Sequence, residues 1–554
     1  MADLSLTEER EKRMRGEQRV NRPWYAFYPE GIPHEIEVPP LSLYDLLKQS
    51  EQDYPEQIAV IDGEHQLTYS ELKHRVDRLA SSLYSLGLNK GNRIGVMLPN
   101  CVEYIIAYYA IQRLGGILVQ VNPMYQQSEL AYILNDSEAQ WIICQEEQRE
   151  KIRQIGLEDQ IGLIFTDGES DSKAYDFYGL ISSGGIDIPP LDINPKEDLA
   201  VLQYTGGTTG RSKGVMLTHF NLVSNVIQSF TFAGGAFERP GERLLSLSPY
   251  YHVYGMTSSM NITIYAAGTL ICSRRFEVNQ TLELIRMHQP TYFPGVPTMY
   301  IALFHHPDSD KAGMDCIKVC NSGSAPMPVE IMHEFERKTG ARIVEGYGLS
   351  ETSPVTHRNP IRGQRKAGSI GLPLPNTDSK VVDLETGTVE LPPGEAGELI
   401  VKGPQVMKGY WKKPEETALT IRDGWLFTGD IATMDEDGYF YIVGRKKEMI
   451  IAGGYNIYPI EVEDVLYQHP AVAEACVFGV PDPYRGETVK AAIVRRKHST
   501  VAEEELIQWC SERLARYKVP RLIEFREELP KTSVGKLLRR RLVEEELDQL
   551  KKEV

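Results

Sequence analysis

The sequence lacks any apolar run long enough to cross a bilayer. Its most apolar stretch, Tyr104–Val121, is interrupted by Gln112, Arg113 and two glycines, whereas a spanning helix needs about 20 predominantly apolar residues. The first 22 residues are rich in arginine and glutamate and have no apolar segment behind them, which argues against a secretory signal peptide. We therefore expect a cytoplasmic protein whose contact with a membrane is limited to its surface.

An excess of basic charge is also absent. The 554 residues carry 60 Lys and Arg against 77 Asp and Glu, which gives a formal net charge of −17. Affinity for nucleic acid depends on clustered Lys and Arg side chains that neutralise phosphates. The composition therefore argues against general nucleic-acid binding and favours a soluble protein.

Cysteine is scarce, and its spacing does not build a zinc site. The seven cysteines are scattered, and the only close pair, Cys316 and Cys320, has no second pair or histidine nearby to complete a tetrahedral ligand set. An odd number of thiols also argues against a complete disulfide framework. We expect buried free thiols in a reducing compartment.

Glycine and threonine, in contrast, are concentrated in one stretch, Tyr204–His219, whose sequence is YTGGTTGRSKGVMLTH. Apolar runs with strand character flank it on both sides, so the stretch predicts a hairpin that passes into a helix. Glycines let backbone N–H groups converge on an anion, while threonine hydroxyls and Lys213 add donors and positive charge. The stretch therefore predicts a polyphosphate-binding loop, although a flexible surface loop has a similar composition.

The same stretch does not satisfy the Walker pattern of nucleotide-binding P-loops. That pattern requires G-x-x-x-x-G-K-[ST] leading into a helix. Counting from Gly207, Ser212 stands where the second glycine is needed, and Lys213 is followed by Gly214 instead of a hydroxyl residue. A different kind of phosphate site is therefore expected.

Helical and strand patterns alternate from residue 41 to about residue 300. Leu43–Gln52 predicts a helix, Ile58–Ile61 a strand, Thr68–Leu88 a helix and Arg93–Leu98 a strand. Thr68 has a glutamate three residues later, at the capping-box spacing. Such alternation predicts parallel sheets covered by helices, and hence an α/β fold. The length allows three or four structural units, or one large unit and one small one.

The pattern changes near residue 440. A charged segment beginning at Arg445 separates two apolar strands, and about a hundred residues with their own strand and helix signals follow it. The position suits a linker between a large and a small domain, although a surface loop would look alike. The charged run at 538–554, which contains Arg539, Arg540 and Arg541, predicts a solvent-exposed helix face.

Five motifs, in order along the chain, resemble those of one enzyme family. Besides the glycine- and threonine-rich stretch, they are Asn122-Pro-Met-Tyr, Tyr347-Gly-Leu-Ser-Glu-Thr-Ser-Pro, Lys402-Gly-Pro-Gln-Val-Met-Lys-Gly-Tyr-Trp and Leu529-Pro-Lys-Thr-Ser-Val-Gly-Lys-Leu-Leu-Arg-Arg. Together they resemble the AMP-forming acyl-CoA synthetases of the adenylate-forming superfamily, and most closely the bacterial long-chain fatty acid CoA ligases. The resemblance covers nearly the whole chain.

This resemblance implies a two-domain architecture. The expected fold is α/β, with a large N-terminal domain over residues 1–445 whose parallel and mixed sheets are covered by helices and include a distorted β-barrel subdomain. A small, mobile α+β domain over residues 446–554 would follow a hinge at Lys447. The resemblance also suggests peripheral contact with the inner membrane face and a homodimer.

The implied reaction has two steps. A fatty acid and ATP give an acyl-adenylate and pyrophosphate, and the thiol of CoA then gives acyl-CoA and AMP. Three alternatives remain: a ligase of the same mechanism for aryl or other carboxylates, an adenylation enzyme that loads a carrier protein, and a binding protein that has kept the fold without catalysis. The pocket for the acid, and not the ATP motifs, would decide among the substrates.

The resemblance also implies the residues that bind ATP and magnesium. The pyrophosphate end of ATP would be held by Thr205, Gly206, Gly207, Thr208, Thr209, Gly210 and Lys213. Mg²⁺, which prefers hard oxygen ligands, would be bound by Glu351 and Thr205. Ser350 replaces the threonine usual beside that glutamate and keeps a hydroxyl near the phosphate. The adenine slot would be lined by Ser324, Ala325, Pro326, Glu345, Gly346 and Tyr347, with Tyr347 stacked on the base.

Further residues are implied for the ribose, the acid and CoA. Asp430 and Arg445 would hold the ribose hydroxyls, and His252 would position the acid at the entrance of its pocket, with Tyr254–Leu270 as pocket wall. Lys536 would bridge the carboxylate and the α-phosphate during adenylation. Gly454 and Tyr455 would form the pantetheine channel after a domain rotation, and Lys518 would meet the phosphates of CoA.

Overall fold

The fold was analysed in a computed structural model of the full chain. It describes residues 22–185, 187–189, 191–205, 212–323, 329–452, 455–497, 499–531 and 537–553. Of the predicted site residues, Gly206, Gly207, Thr208, Thr209, Gly210, Ser324, Ala325, Pro326, Gly454 and Lys536 lie outside these ranges.

The strands, numbered along the chain, are β1 (Ile58–Asp62), β2 (His65–Thr68), β3 (Arg93–Met97), β4 (Ile117–Gln120), β5 (Trp141–Cys144), β6 (Gly162–Phe165), β7 (Ala174–Asp176), β8 (Leu199–Thr205), β9 (Lys213–Thr218), β10 (Arg243–Ser246), β11 (Thr269–Cys272), β12 (Tyr292–Gly295), β13 (Val319–Ser322), β14 (Arg342–Gly348), β15 (Val355–Arg358), β16 (Leu372–Pro373), β17 (Asp378–Val382), β18 (Gly397–Lys402), β19 (Gly409–Tyr410), β20 (Ile421–Arg422), β21 (Trp425–Met434), β22 (Phe440–Arg445), β23 (Ile450–Ala452), β24 (Tyr455–Ile457), β25 (Val472–Asp482), β26 (Gly486–Arg495) and β27 (Leu522–Arg526).

The α-helices are α1 (Leu43–Asp53), α2 (Tyr69–Ser85), α3 (Val102–Arg113), α4 (Gln127–Asp136), α5 (Arg149–Gln154), α6 (Phe177–Ser183), α7 (His219–Phe232), α8 (Ile262–Tyr265), α9 (Val278–His288), α10 (Pro297–Phe304), α11 (Val329–Thr339), α12 (Pro414–Thr420), α13 (Pro459–Tyr467), α14 (Glu503–Ser511) and α15 (Arg539–Glu553). Short 3₁₀ turns lie at Pro23–Phe27, Glu146–Gln148, Ser309–Lys311, Met314–Cys316 and Ser350–Thr352, and a π-helix covers Gly255–Asn261.

Two mixed sheets form the body of the N-terminal part. One has the order β19-β9-β8-β4-β3-β5-β6-β7 and the other β16-β15-β14-β13-β12-β10-β11-β1-β2. Their central strands pair in parallel, as the alternating pattern predicts. Antiparallel strands lie at both edges of the second sheet and at the β9 side of the first, because β2, β9 and β15 are joined to their neighbours by short connections that reverse the chain. The other edge strand of the first sheet, β7, pairs in parallel with β6. One continuous apolar core contains residues from both sheets and from α1 to α3.

Local signals in the sequence place several of these elements correctly. The predicted capping box is present at the start of α2, where the Thr68 hydroxyl accepts from the Glu71 backbone N–H at 3.2 Å and the Glu71 carboxylate accepts from the Thr68 N–H at 2.9 Å. Two orphan donors of the helix N-terminus are thereby satisfied. The hairpin predicted around the glycine-rich stretch is also present, since β8 and β9 pair antiparallel with Thr205 opposite Lys213.

A third sheet is formed by strands between residues 378 and 445. It is antiparallel, in the order β17-β18-β21-β20, and β22 pairs with β21. The β21–β22 pairing puts Asp430 directly opposite Arg445. This sheet therefore brings together two side chains that are separated by a turn in the sequence.

The C-terminal part has its own sheet and its own core. The sheet order is β24-β23-β26-β25, with β27 parallel to β26, and an apolar cluster separate from the N-terminal core joins these strands to α13 and α14. β22 ends at Arg445 and β23 begins at Ile450. The separate apolar core of the C-terminal part is consistent with the predicted domain boundary at 445/446 and with the predicted hinge at Lys447. Both stay predictions.

The prediction of a solvent-exposed face at the start of α15 is wrong for Arg539. Its side chain is only 14% exposed and donates to the carboxylate of Glu463 at 2.6 Å and to the Val477 carbonyl at 2.7 Å. It also pairs with Glu448, just beyond the predicted hinge. Arg540 and Arg541 are exposed as predicted and pair with glutamates one turn along the helix. A tertiary contact, and not helix patterning, decides the burial of Arg539.

The free cysteines lie largely in the interior. Six of the seven are buried and Cys316 is half-buried. Burial is the main cause of a raised pKa for all seven thiols, and it therefore favours the protonated form. Across the described ranges, no helix has both the length and the apolarity that a membrane crossing requires.

Candidate active site

A cleft of about 1030 Å³ opens at the carboxyl ends of β8, β13 and β14. Open α/β sheets commonly bind ligands beyond the carboxyl ends of their strands. The third sheet and the C-terminal part complete the lining with Thr428, Arg445, Lys447, Lys531 and Leu538. Most of the described residues that are predicted to bind ATP therefore line one cavity.

The start of the predicted phosphate loop is fixed by the β8–β9 hairpin. Thr205 is the last residue of β8 and Lys213 the first of β9, and both line the cleft. The Ser212 hydroxyl donates to the Thr205 carbonyl at 2.6 Å, which ties the two ends of the loop together. The loop residues between them, 206–211, lie outside the described ranges.

Lys213 already has a partner of opposite charge. Its ammonium contacts the carboxylate of Glu416, in α12, and lies 4.9 Å from the ring centre of Tyr410. A cation over an aromatic face is attracted by the ring quadrupole. The predicted phosphate-binding lysine is therefore held between a carboxylate and an aromatic ring.

Glu351 is fixed from two sides. The hydroxyl of Tyr410 donates to its Oε1 at 2.8 Å, and its carbonyl accepts from the backbone N–H of Met407 at 2.8 Å. Burial, and then the charge of Glu351, raise the pKa of Tyr410, so this hydroxyl remains a donor. Ser350 lies beside Glu351 in the same 3₁₀ turn and also lines the cleft.

The two predicted magnesium ligands both offer the oxygen donors that Mg²⁺ prefers. Glu351 offers a carboxylate and Thr205 a hydroxyl, and both line the same cleft. No cluster of three or more His, Cys, Asp or Glu side chains suited to a metal occurs in the described part of the chain. Such a donor set fits a Mg²⁺ ion that completes its shell with phosphate oxygens and water, and it does not fit a metal held by protein side chains alone.

Tyr347 and the predicted ribose pair form one connected cluster. The Tyr347 hydroxyl donates to Asp430 Oδ2 at 2.5 Å, and the Arg445 Nε lies 2.9 Å from Asp430 Oδ1. Asp430 is only 2% exposed. Its negative charge raises the pKa of Arg445, while burial and then Asp430 raise that of Tyr347. Tyr347 and Arg445 line the cleft, and both contact the buried carboxylate of Asp430.

The neighbouring residues of β14 are placed by the sheet. Glu345 lies opposite Ser322 of β13, is buried, and accepts from the Gly368 N–H at 3.1 Å. Gly346 and Tyr347 follow it and line the cleft. A Cβ on Gly348 would lie 2.0 Å from the Pro354 carbonyl oxygen, so only glycine allows the chain to pass here.

His252 lies at the wall of the cleft and is half-buried. Its Nδ1 accepts from the Tyr254 backbone N–H at 3.3 Å, a contact suited to orienting the ring and not to proton transfer from that atom. The π-helix Gly255–Asn261 begins directly afterwards and is buried throughout. A Cβ on Gly255 would lie 2.1 Å from the Pro249 carbonyl oxygen, so this turn requires glycine.

Tyr455 and Lys518, two of the residues predicted to meet CoA, lie on the C-terminal part and do not line this cleft. Tyr455 is exposed and stacks on Tyr517 with ring centres 4.6 Å apart. Lys518 pairs with Glu461 at 2.5 Å. The arrangement here therefore does not bring these two residues to the ATP-site residues.

Lys536 belongs to a loop whose ends are both placed at the cleft. Lys531 and Leu537 form an isolated antiparallel bridge, and the Leu538 N–H donates to the Pro530 carbonyl at 2.8 Å. Lys531 and Leu538 line the cleft. The ends of the loop that carries Lys536 therefore lie beside the ATP-site residues, although Lys536 itself is outside the described ranges.

Sequence reasoning missed Tyr410 and Glu416. Tyr410 lies within a motif that was noted only for its resemblance, and Glu416 follows it on a short helix. Their contacts with Lys213 and Glu351 arise because β19 pairs with β9, with Tyr410 opposite Val215. In the sequence, Tyr410 and Glu416 are simply a tyrosine and a glutamate six residues apart. Such a pair is too common to indicate a site.

Comparison with known proteins finds family models and relatives that agree on one enzyme family. Residues 47–411 match the AMP-binding enzyme family, and residues 461–536 match the AMP-binding enzyme C-terminal domain. A long-chain-fatty-acid–CoA ligase from Bacillus subtilis (strain 168) is 46% identical over 95% of this chain and 98% of its own length. A protein of the same name from Escherichia coli O6:H1 is 36% identical over 95% and 98%.

Solved structures share the fold. A crystal structure of ATP-bound MatB from Rhodopseudomonas palustris superposes with a TM-score of 0.84 at 33% identity, covering 91% of this chain and 99% of that one. The superposition leaves out less than a tenth of this chain. It supports the predicted α/β architecture with a small C-terminal unit.

Proposed function

The chain belongs to the AMP-binding enzyme family, and we infer from this that it is a long-chain fatty acid–CoA ligase. It joins a fatty acid to CoA and converts ATP to AMP and pyrophosphate, with an acyl-adenylate as the intermediate. The observation that carries this assignment is the 46% identity to a relative of that name, over 95% of the chain.

In the first step, a carboxylate oxygen of the fatty acid attacks the α-phosphorus of ATP and pyrophosphate leaves. Both reactants are anionic, so the site must supply cations and aligned donors around the phosphates. We assign this role to Lys213 and to the hydroxyl and glycine residues of the 205–210 loop, with Lys536 bridging the carboxylate and the α-phosphate. The position of Lys213 at the cleft supports the first assignment.

The nucleoside part is assigned to the cluster at β14, β21 and β22. Asp430 has a carboxylate that accepts hydrogen bonds from hydroxyl groups, and Tyr347 offers a ring of the size needed to stack on a base. Their direct hydrogen bond and the position of Tyr347 at the cleft support this assignment. Arg445 contacts the other oxygen of the same carboxylate at 2.9 Å.

Magnesium is assigned to Glu351 and Thr205, on the basis of their oxygen donors. When bound, the ion would neutralise phosphate charge and so favour departure of pyrophosphate. Tyr410 contributes by holding the Glu351 carboxylate in one orientation.

The second step requires access for the thiol of CoA. We propose that residues 446–554 rotate as a unit about Lys447, which moves Lys536 away and brings Gly454 and Tyr455 to the cleft. Lys518 would then exchange Glu461 for a CoA phosphate. Peripheral contact with the inner membrane face, a cytoplasmic location and a homodimer belong to this proposal as predictions from the family resemblance.

The choice of acid is tested by AMP formation with ATP, Mg²⁺ and CoA across saturated fatty acids of increasing length. We expect the rate to be highest with long chains, because an apolar tail gains about 0.8 kcal/mol for each methylene that it buries. Cinnamate and benzoate serve as controls for an aryl-acid ligase. Activity confined to these aromatic acids would overturn the substrate and keep the mechanism.

Free CoA separates the proposed ligase from a carrier-loading enzyme in the same assay. The ligase is expected to release AMP and acyl-CoA in equal amounts in each turnover. An enzyme that forms acyl-adenylate but transfers nothing to free CoA would favour the carrier-loading alternative.

A further inference from the structure

The contact between Lys213 and Glu416 has no role in the reaction described so far. The side chain of Lys213 is 26% exposed and that of Glu416 37% exposed. The other carboxylate oxygen of Glu416 lies 3.5 Å from the Lys413 ammonium. Glu416 is therefore a partly exposed carboxylate between two lysines, one of which lines the cleft.

The protein holds this carboxylate in place through its backbone. Thr417, the next residue of α12, accepts from the Tyr410 backbone N–H at 2.9 Å and donates to the Lys413 carbonyl at 2.8 Å. Tyr410 in turn pairs with Val215 in β9, two residues from Lys213. The pairing of β19 with β9, and the short connection from β19 to α12, place Glu416 beside Lys213.

The location matters because Lys213 is the cation assigned to the terminal phosphates of ATP. Glu416 lowers the positive potential that an incoming polyphosphate meets, and Lys213 in turn holds the pKa of the Glu416 carboxyl below its usual value. An exposed ion pair contributes little to stability, so a polyanion can displace it at small cost. AMP, which lacks the β- and γ-phosphates, has no group to compete for Lys213.

We propose that Glu416 is the resting counter-ion of Lys213 and that the β- and γ-phosphates of ATP compete with it for the lysine ammonium. Glu416 thereby lowers the affinity for ATP and pyrophosphate without changing that for AMP. The consequence for the cycle is that pyrophosphate is released more readily once it has formed. This inference rests on the assignment of Lys213 in the proposed function.

Glu416→Gln is the direct test, because it removes the charge and nearly keeps the shape. We expect ATP and pyrophosphate to bind about three- to tenfold more tightly, the size of a weakly screened charge interaction at a partly exposed site. Affinity for AMP is expected to stay within about twofold. Dissociation constants for ATP, pyrophosphate and AMP, measured by calorimetry at one ionic strength with excess Mg²⁺, provide the readout.

Glu415→Gln is the matched control. Glu415 is exposed on the same helix, so its replacement changes the net charge equally, and all three affinities are expected to stay within about twofold. A second control places Glu416→Gln in a Lys213→Ala background. There the substitution is expected to lose most of its effect, since the two side chains act as a pair.

Three results would overturn the inference. These are unchanged or weaker binding of ATP by the Glu416→Gln variant, an equal gain for AMP, and a full effect that persists without Lys213. A parent protein that binds neither ATP nor AMP would instead overturn the proposed function, and this inference with it. The parent measurement therefore separates the two failures.

Discussion

Replacement of Lys536 by alanine is expected to slow acyl-adenylate formation by about 10²- to 10³-fold, the loss typical for one donor aimed at developing charge. Conversion of preformed acyl-adenylate and CoA to acyl-CoA is expected to change by less than about threefold, because Lys536 leaves the site before the thiol attacks. Fatty-acid-dependent exchange of labelled pyrophosphate into ATP measures the first step, and thioester formation from synthetic acyl-adenylate measures the second.

Lys531→Ala is the matched control for this substitution. Lys531 lies at the entrance of the same loop, lines the cleft and pairs with Glu474 at 2.5 Å. We expect both half-reactions of this variant to stay within about threefold of the parent, since an ion pair with about a third of each side chain exposed contributes little. Equal losses in both half-reactions of Lys536→Ala, or no loss in either, would contradict the assigned role.

Replacement of Asp430 by asparagine is expected to weaken the binding of ATP and of AMP equally, by roughly a hundredfold. The substitution removes a buried negative charge that accepts from Tyr347 and contacts Arg445. Hydrogen bonds to a charged group are worth about 1.5–3 kcal/mol, and about 1.4 kcal/mol corresponds to a factor of ten. Equal effects on both nucleotides are expected because Asp430 is assigned to the ribose, which ATP and AMP share.

Tyr347→Phe is the companion variant. It keeps the ring and removes only the hydroxyl that donates to Asp430, so we expect a loss of affinity of less than about tenfold. Thermal unfolding of each variant shows whether the fold survives the loss of a buried partner. Unchanged nucleotide affinity in a folded Asp430→Asn protein would remove Asp430 from the site.

Local chemistry in the sequence predicts much of the scaffold. The capping box at Thr68 and Glu71 and the hairpin from Thr205 to Lys213 depend on residues only a few positions apart. The alternating pattern also predicts the parallel centre of both large sheets. The alternating pattern does not predict the antiparallel strands β2 and β15 of the second sheet, because a short strand near an edge carries little periodic signal.

Interactions between distant segments explain where sequence reasoning failed. Arg539 has the surroundings of an exposed helix in sequence, yet the fold covers it with Glu448 and Glu463. Glu416 similarly meets Lys213 only because β19 pairs with β9. In both cases the partner of a charge is chosen by tertiary structure, and no pattern within one segment contains that information.

In the candidate site, too, some residues are recognised from the sequence and others only from the fold. Its residues were located by resemblance to a family, and the described structure brings Lys213, Glu351, Tyr347 and Arg445 to one cleft. The buried Asp430 contacts two of them, Tyr347 and Arg445. Tyr410, which links Lys213 to Glu351, was not nominated. Motifs name the groups that contact substrate, whereas the residues that position those groups become visible only in three dimensions.

The central claim is that activation passes through an acyl-adenylate, and the fate of the carboxylate oxygens tests it most directly. A long-chain fatty acid labelled with ¹⁸O in both carboxylate oxygens is incubated with ATP, Mg²⁺ and CoA, and the products are analysed by mass spectrometry. Attack of the carboxylate on the α-phosphorus, followed by attack of the thiol on the acyl carbon, predicts one ¹⁸O in AMP and none in pyrophosphate. Unlabelled AMP, or label in inorganic phosphate together with ADP, would contradict the account.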